Sequence, residues 1–429
     1  MPRVEQEVLD LIVDELDGDR KALLACASAS RYLLPRAQYH IFSKISFIPP
    51  NIEKPLSEIQ LKALNLELRA CSIERFHALV QRTPRIASYV KELDILEGGW
   101  GALTFTKEDE HYAATWVEES SAALCDVLSR LTRVRRFSLG RWAGTFPQQL
   151  NEAIWHLLLR CPMRRVTLYD SLIPMAVVEG CPALDSMQLG CSCTLAGPVA
   201  GQAALPVCAP KSVRLRNLNV SGTWGNNSIV KSLLARFLDE TSALDASSIR
   251  HLYLTLDSDD GEELSYVATL LQLCAPSLEA FEFRGAMNVE MPIETFNQYI
   301  DVGCCRRLRV VTLSCGLESP DIAADDYRDP VPAVLELLTR VQSSIEAVDL
   351  NLIPVDLGDS ADAEEDVDVA ESYAPYWEAL DSLASPTFPR LCDVNLVFHT
   401  WGTLSREVEE CIHSHMPGLS GSGRLRISY

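Results

Sequence analysis

Positive charge is what this chain is short of: 38 lysines and arginines face 59 aspartates and glutamates, a net charge of −21. Such a chain repels nucleic-acid backbones and anionic membrane surfaces over most of its area, so neither nucleic acid nor membrane is expected as a partner. Long apolar runs are missing too, and none approaches the roughly 18 residues needed to span a bilayer. The start, MPRVEQEVLDLIVDELDGDRK, is acidic and amphipathic and lacks the basic and apolar regions of a secretory leader. Cysteine is plentiful, at 14, but scattered from Cys26 to Cys411 without a compact disulfide framework. The thiols are therefore expected to be reduced and the protein to be cytoplasmic, nuclear or both.

Signatures of catalysis are equally scarce. There is no phosphate-binding GxxxxGK loop, no HExxH and no glycine-rich dinucleotide fingerprint. Cys191 and Cys193 are two apart and Cys304 and Cys305 are adjacent, whereas zinc ligands usually come as CxxC pairs. His413 and His415 lack a second pair and read as part of a surface loop. No catalytic residue, metal or cofactor is expected, and the chain does not read as an enzyme.

What is there is a repeat. The composition, 47% apolar and 23% charged, is that of a folding chain. Its 429 residues exceed one core of roughly 150, which calls for several domains or an array. One pattern, apolar-x-x-apolar-x-apolar, recurs as Val90-KE-Leu93-D-Ile95, Val134-RR-Phe137-S-Leu139, Met163-RR-Val166-T-Leu168 and Leu184-DS-Met187-Q-Leu189. It returns as Ile249-RH-Leu252-Y-Leu254, Leu278-EA-Phe281-E-Phe283, Leu308-RV-Val311-T-Leu313, Ile345-EA-Val348-D-Leu350 and Leu391-CD-Val394-N-Leu396. A poorer copy starts at Pro210, with Val213 and Leu215.

The last two apolar positions alternate with polar ones, the period of a strand buried on one face. Helix-like stretches separate the copies, as at 148–160, 229–240, 263–274 and 332–341, and several stop at Cys161-Pro162, Cys181-Pro182 or Ala275-Pro276. A strand plus a helix cannot bury its own apolar faces, but stacked copies can. The pattern is the leucine-rich-repeat signature, and an irregular α/β solenoid over 86–429 is expected; the alternative is an ordinary α/β domain with parallel strands. The stretch 355–371, VDLGDSADAEEDVDVAE, is acidic without a basic residue and reads as a mobile loop.

Ahead of the array, residues 4–16 place Val4, Val8, Leu9, Ile12 and Leu16 on one side of a helix. Asp19 can cap a second helix, and Pro35 sits near the start of a third. Residues 48–85 read as a helical linker or N-terminal cap.

The run EVLDLIVDELDGDRKALLACASASRYLLPRAQYHIFSKISF resembles the F-box domain of fungal F-box proteins, which often carry C-terminal leucine-rich repeats. The fit is carried by Glu7, Val8, Ile12, Leu16, Leu23, Leu24, Ala25, Cys26, Arg31, Leu34, Pro35, Arg36, Tyr39, His40 and Phe42. Val4-Glu5 stands where that family has Leu-Pro, and Leu33 where it usually has Trp. The resemblance implies a three-helix module over 1–47. It also implies a non-catalytic adaptor in which the module docks onto the Skp-type linker of an SCF-type cullin–RING ubiquitin ligase while the repeats hold a protein substrate. Val4, Val8, Leu9, Ile12, Leu16, Leu23, Leu24, Leu33, Leu34 and Pro35 would face the linker. The competing reading is a repeat scaffold outside the ligase system, with the N-terminal helices as its cap.

The third and fifth positions of each copy point away from the core, onto the face such arrays present to ligands. Arg136 and Arg165, flanked by Arg135 and Arg164, should lie on neighbouring strands about 5 Å apart. With Arg214, His251 and Tyr253 they are the candidate target-binding residues, and the arginines favour an acidic or phosphorylated segment.

Overall fold

Each copy of the apolar pattern contributes a strand with its apolar positions buried. The computed structural model describes residues 5–47, 70–96, 116–140, 147–169, 172–190, 193–196, 209–221, 229–256, 261–285, 297–317, 331–354, 370–398 and 405–428. In all nine copies the three apolar positions are 3% exposed or less. The second and third of them sit within a strand and the first just before it, so each copy contributes three anchors to the core.

The chain is α/β and divides into two compact units, residues 1–213 and 214–429. In the first, the strands are β1 (Lys44–Phe47), β2 (Ala70–Cys71), β3 (Glu92–Leu96), β4 (Arg136–Gly140), β5 (Arg165–Tyr169), β6 (Leu172–Pro174), β7 (Ser186–Gly190) and β8 (Thr194–Ala196). The order in its main sheet is β2-β1-β3-β4-β5-β7 with parallel pairing, while β6 and β8 pair separately. The residues expected to end the N-terminal module, Lys44–Phe47, are thus a strand of this sheet.

In the second unit, β9 (Val213–Arg214, astride the boundary) precedes β10 (Asn217–Ser221), β11 (Leu244–Asp245), β12 (His251–Leu256), β13 (Ala280–Gly285), β14 (Val310–Leu317), β15 (Ala347–Pro354), β16 (Asp393–Phe398) and β17 (Leu425–Ser428). The sheet order is β10-β12-β13-β14-β15-β16-β17, again with parallel pairing. Parallel neighbours need a crossover, and the helices Ile229–Leu238, Gly261–Cys274, Val331–Thr339 and Ala374–Asp381 supply it. Ile229–Leu238 packs on Gly261–Cys274 and Val331–Thr339 on Ala374–Asp381, as Ser121–Arg130 does on Gln148–Arg160 in the first unit.

A repeated hydrogen bond marks the copies as equivalent. The carbonyl of Lys91 accepts from the backbone N–H of both Arg135 (2.7 Å) and Arg136 (3.1 Å). The Arg135 carbonyl accepts likewise from Arg164 and Arg165, and in the second unit the Arg250 carbonyl accepts from Glu279 and Ala280. β4, β5 and β7 in the first unit and β12, β13, β14 and β15 in the second are entered through this same step.

Two expectations need correction. The poorer copy begins at Leu215, not Pro210: Leu218 and Val220 are buried in β10, and Asn217 stands opposite His251. The run Val213-R-L-R-N-L-N-Val220 satisfies the alternation in two frames, and only pairing with β12 decides between them. The acidic stretch is the second. Residues 370–372 are helical, while 355–369 lie outside the described residues.

Candidate functional site

The N-terminal module is built from α1 (Gln6–Asp14), α2 (Arg20–Ala29) and α3 (Leu34–Ser43). Gly18, at φ +102°, makes the turn that a side chain would strain, and Asp19 then caps α2 by accepting from Ala22 N–H at 2.9 Å. Pro35 stands in the first turn of α3, where its missing N–H costs nothing. The core is small: Val13, Leu23, Ala37 and Ile41, with Leu16, Cys26, Ala27, Leu33 and Phe42 packed against it. A polar cluster braces it. Arg36 grips both oxygens of Asp14, and His40 Nε2 lies 2.7 Å from Asp14 Oδ1. The Arg36 guanidinium holds the Asp14 carboxyl down at about 2, against an ordinary value of about 3.9.

The helices also lean on the sheet of their own unit. Tyr39 lies between Arg36 and Lys91, whose charged ends stand 4.8 and 4.5 Å from its ring centre, and Arg85 donates to Gln38 at 3.0 Å.

Apolar side chains on this module are turned to solvent to an unusual degree. Val8 is 45% exposed, Leu11 64%, Ile12 54%, Leu24 49% and Tyr32 52%. Among the described residues the only other exposed large apolar side chain is Leu238. Val8, Leu11 and Ile12 are spaced three and four apart and share one face of α1, and Gln6 ties the Tyr32 carbonyl to the same helix at 3.0 Å.

The expected linker-facing residues divide accordingly. Val8, Ile12, Leu24 and Pro35 are exposed, and Leu9 and Leu34 are half-buried. Leu16 and Leu33 pack on the core, and Leu23 is inside it at 3% exposure, so Leu23 is a structural residue and offers no docking surface. Val4 lies outside the described residues. Leu11 and Tyr32 were missed, since α1 carries two apolar stripes and the sequence does not say which faces inward; Val13, not Ile12, does.

The second candidate surface is the outward face of the strands. Arg136 and Arg165 stand opposite each other in β4 and β5, as their spacing predicted. Arg136 reaches Glu92 at 3.7 Å, and Lys44 reaches the same carboxylate at 4.0 Å. Arg165 is exposed and, among the described residues, makes no ion pair. Arg135 and Arg164 enter the same two strands and are exposed as well. The cluster thus holds more cation than counter-charge. Like charges about 5 Å apart repel by roughly 1 kcal/mol even in water.

The fifth positions are less available here than expected: Ser138 and Thr167 are each only 5% exposed. In the second unit His251 is exposed and Tyr253 half-buried, with the Arg284 guanidinium 5.5 Å above its ring. Arg284 is itself paired with Glu282 at 3.0 Å, and burial pushes the Glu282 carboxyl above its usual range. Arg214 does not belong to this face. The corrected register puts it in β9, ahead of the copy, and Asn219 takes the place assigned to it.

Among the described residues no helix is long and apolar enough to cross a membrane. No protein-family model matches the chain, and no curated protein shows significant similarity to it.

Proposed function

We propose that this protein is the substrate-recognition adaptor of an SCF-type cullin–RING ubiquitin ligase, with α1–α3 as an F-box docking onto a Skp-type linker and an irregular leucine-rich-repeat solenoid holding the target. The observation that carries the reading is the set of exposed apolar side chains, Val8, Leu11, Ile12, Leu24 and Tyr32, gathered in one small module. Contiguous apolar residues in water mark a surface built for a partner. The buried pattern positions and the repeated strand-entry hydrogen bond support the repeat half of the proposal.

In this reading the chain transfers nothing itself. It raises the effective concentration of a target lysine beside the charged ubiquitin-conjugating enzyme. The arginines at 135, 136, 164 and 165 supply attraction for an acidic or phosphorylated stretch of the target. Replacing Arg136 and Arg165 with Glu abolishes target capture and leaves the fold intact; capture that survives the double change removes the arginines from the site.

A second reading is favoured by a specific observation. Tyr39, Lys91, Arg85 and Gln38 fasten the module to the sheet, as a cap on a repeat array would be. Co-purification with the Skp-type linker separates the two. The adaptor reading requires a complex that Val8→Asp with Ile12→Asp destroys, and the cap reading requires no complex at all.

A further inference from the structure

Near the end of the second unit, three side chains that belong to different parts of the sequence meet. The helix Arg406–His415 opens on Ser405, which accepts from Val408 N–H at 3.3 Å, and buries Val408 and Ile412. Cys411 and His415 are one turn apart, four residues, on a single half-buried face. Glu371 arrives from the helical stretch 370–372, which is anchored where the buried Trp377 indole donates to the Ala370 carbonyl at 3.1 Å. Glu371 Oε2 lies 3.2 Å from Cys411 Sγ and 3.0 Å from His415 Nε2, and all three atoms fall within 4.8 Å of one another.

We infer that Glu371, Cys411 and His415 form a binding site for a zinc-type divalent cation. Zinc takes sulfur at about 2.3 Å and nitrogen or oxygen at about 2.0–2.2 Å, so tetrahedral ligands stand about 3.5 Å apart. Glu371 Oε2 stands a few tenths of an ångström inside that spacing from each partner, and Cys411 Sγ and His415 Nε2, at most 4.8 Å apart, reach it by side-chain rotation. The mixture of thiol, imidazole and carboxylate suits zinc and excludes magnesium and calcium, which want oxygen alone.

A second carboxylate stands near the other ring nitrogen of His415. His415 Nδ1 lies 3.6 Å from Glu378 Oε1, so a carboxylate stands behind the ring while Nε2 faces the cation. Glu371 is exposed, which leaves the fourth position to water. His413 takes no part, because its Nδ1 is bonded to Ser420 Oγ at 2.9 Å. Cys411 holds its proton as a thiol that donates to Glu371 Oε2 at 3.2 Å. Binding replaces that proton: the S–H bond breaks, a sulfur–metal bond forms, and the proton passes to solvent. The bound ion then joins the helix Arg406–His415 to the segment leading into Ala374–Asp381.

The test uses the full chain, reduced and stripped with chelator, titrated with Co²⁺ alone. The expected result is one equivalent bound with a thiolate-to-cobalt charge-transfer absorption that Zn²⁺ abolishes. Cys411→Ala removes the absorption, and Cys304→Ala, at an exposed thiol elsewhere, keeps it. The exposed Glu371→Gln weakens binding without touching the core, and Glu378→Gln retains the absorption while weakening binding about 10-fold or more. A parent chain without the absorption, or a Cys411→Ala chain that still shows it, overturns the site.

Discussion

The α1–α3 module turns Val8, Leu11, Ile12, Leu24 and Tyr32 to solvent, while the strands that follow it leave nothing apolar uncovered at their pattern positions. Both regions draw on the same aliphatic residues. They differ in what the chain provides to cover them. Each strand meets a helix and a neighbouring strand, so its apolar face closes within the protein. The module has three short helices and a core of Val13, Leu23, Ala37 and Ile41, and one of the two apolar stripes of α1 is left over. Under the adaptor proposal a second chain completes that face.

Charge separates the two units in a comparable way. In the second unit the row just ahead of the strands reads Arg216, Arg250, Glu279, Arg309 and Glu346, and Arg250 pairs with Glu279 at 3.4 Å and Arg309 with Glu346 at 3.8 Å. In the first unit the equivalent residues are Lys91, Arg135, Arg164 and, last, Asp185, with Arg136 and Arg165 beside the arginines. The second unit pairs Arg250 and Arg309 with acids of the same row, whereas Arg135, Arg136, Arg164 and Arg165 make a cationic patch in a protein of net charge −21.

The largest effect should come from the fully covered region. Phe137→Ala opens a cavity among close-packed strands and helices and should cost about 3–5 kcal/mol by chemical denaturation. In the module, Leu23→Ala should cost about 2 kcal/mol, near the low end for such a change, because so thin a core collapses around the gap. Equal losses from the two substitutions would erase the contrast between the regions.

Acid sharpens it. Asp14 has a folded-state value below its unfolded one, so its contribution is present above about pH 4 and is lost as the pH falls to about 2. An Asp14→Asn chain should unfold more easily than the parent at pH 7, and the gap should close over that window. A gap unchanged at pH 2 would assign Asp14 some other role.

The smallest effects test the charge comparison. Arg165→Glu places a carboxylate beside Arg136 and Arg164 and should leave stability level or raise it by about 0.5 kcal/mol. Glu279→Arg puts a third cation between Arg250 and Arg309 and should lower it by about 0.5–1 kcal/mol. Shifts of the same sign in the two unfolding curves would contradict the assignment of the patch.

Much of this architecture was legible because a strand advertises itself twice, by its period of two and by the extra apolar residue three before it. That is why Arg136 and Arg165 were correctly set side by side. Where both frames of a run are apolar, as around Val213–Val220, only the neighbouring strand chooses, and Arg214 was misplaced. The helix α1 posed the same problem, since its stripes at Val8/Ile12 and Leu9/Val13 are equally apolar. Cys411 and His415 are a visible pair at helical spacing, but His413 and His415 read as a surface loop, whereas they lie in the helix Arg406–His415, which gives Cys411 and His415 a shared face. Glu371 joins them through tertiary packing across 40 residues, a contact that no local pattern announces.

The most direct test is calorimetric titration of the purified chain with a Skp-type linker, beside a Val8→Asp/Ile12→Asp variant. Both substituted residues are already in water, so the variant should match the parent in stability to within about 0.5 kcal/mol. The adaptor account predicts a stoichiometric complex with the parent chain and none with the variant. A parent chain that binds no linker, or a variant that binds as well as the parent, would contradict it.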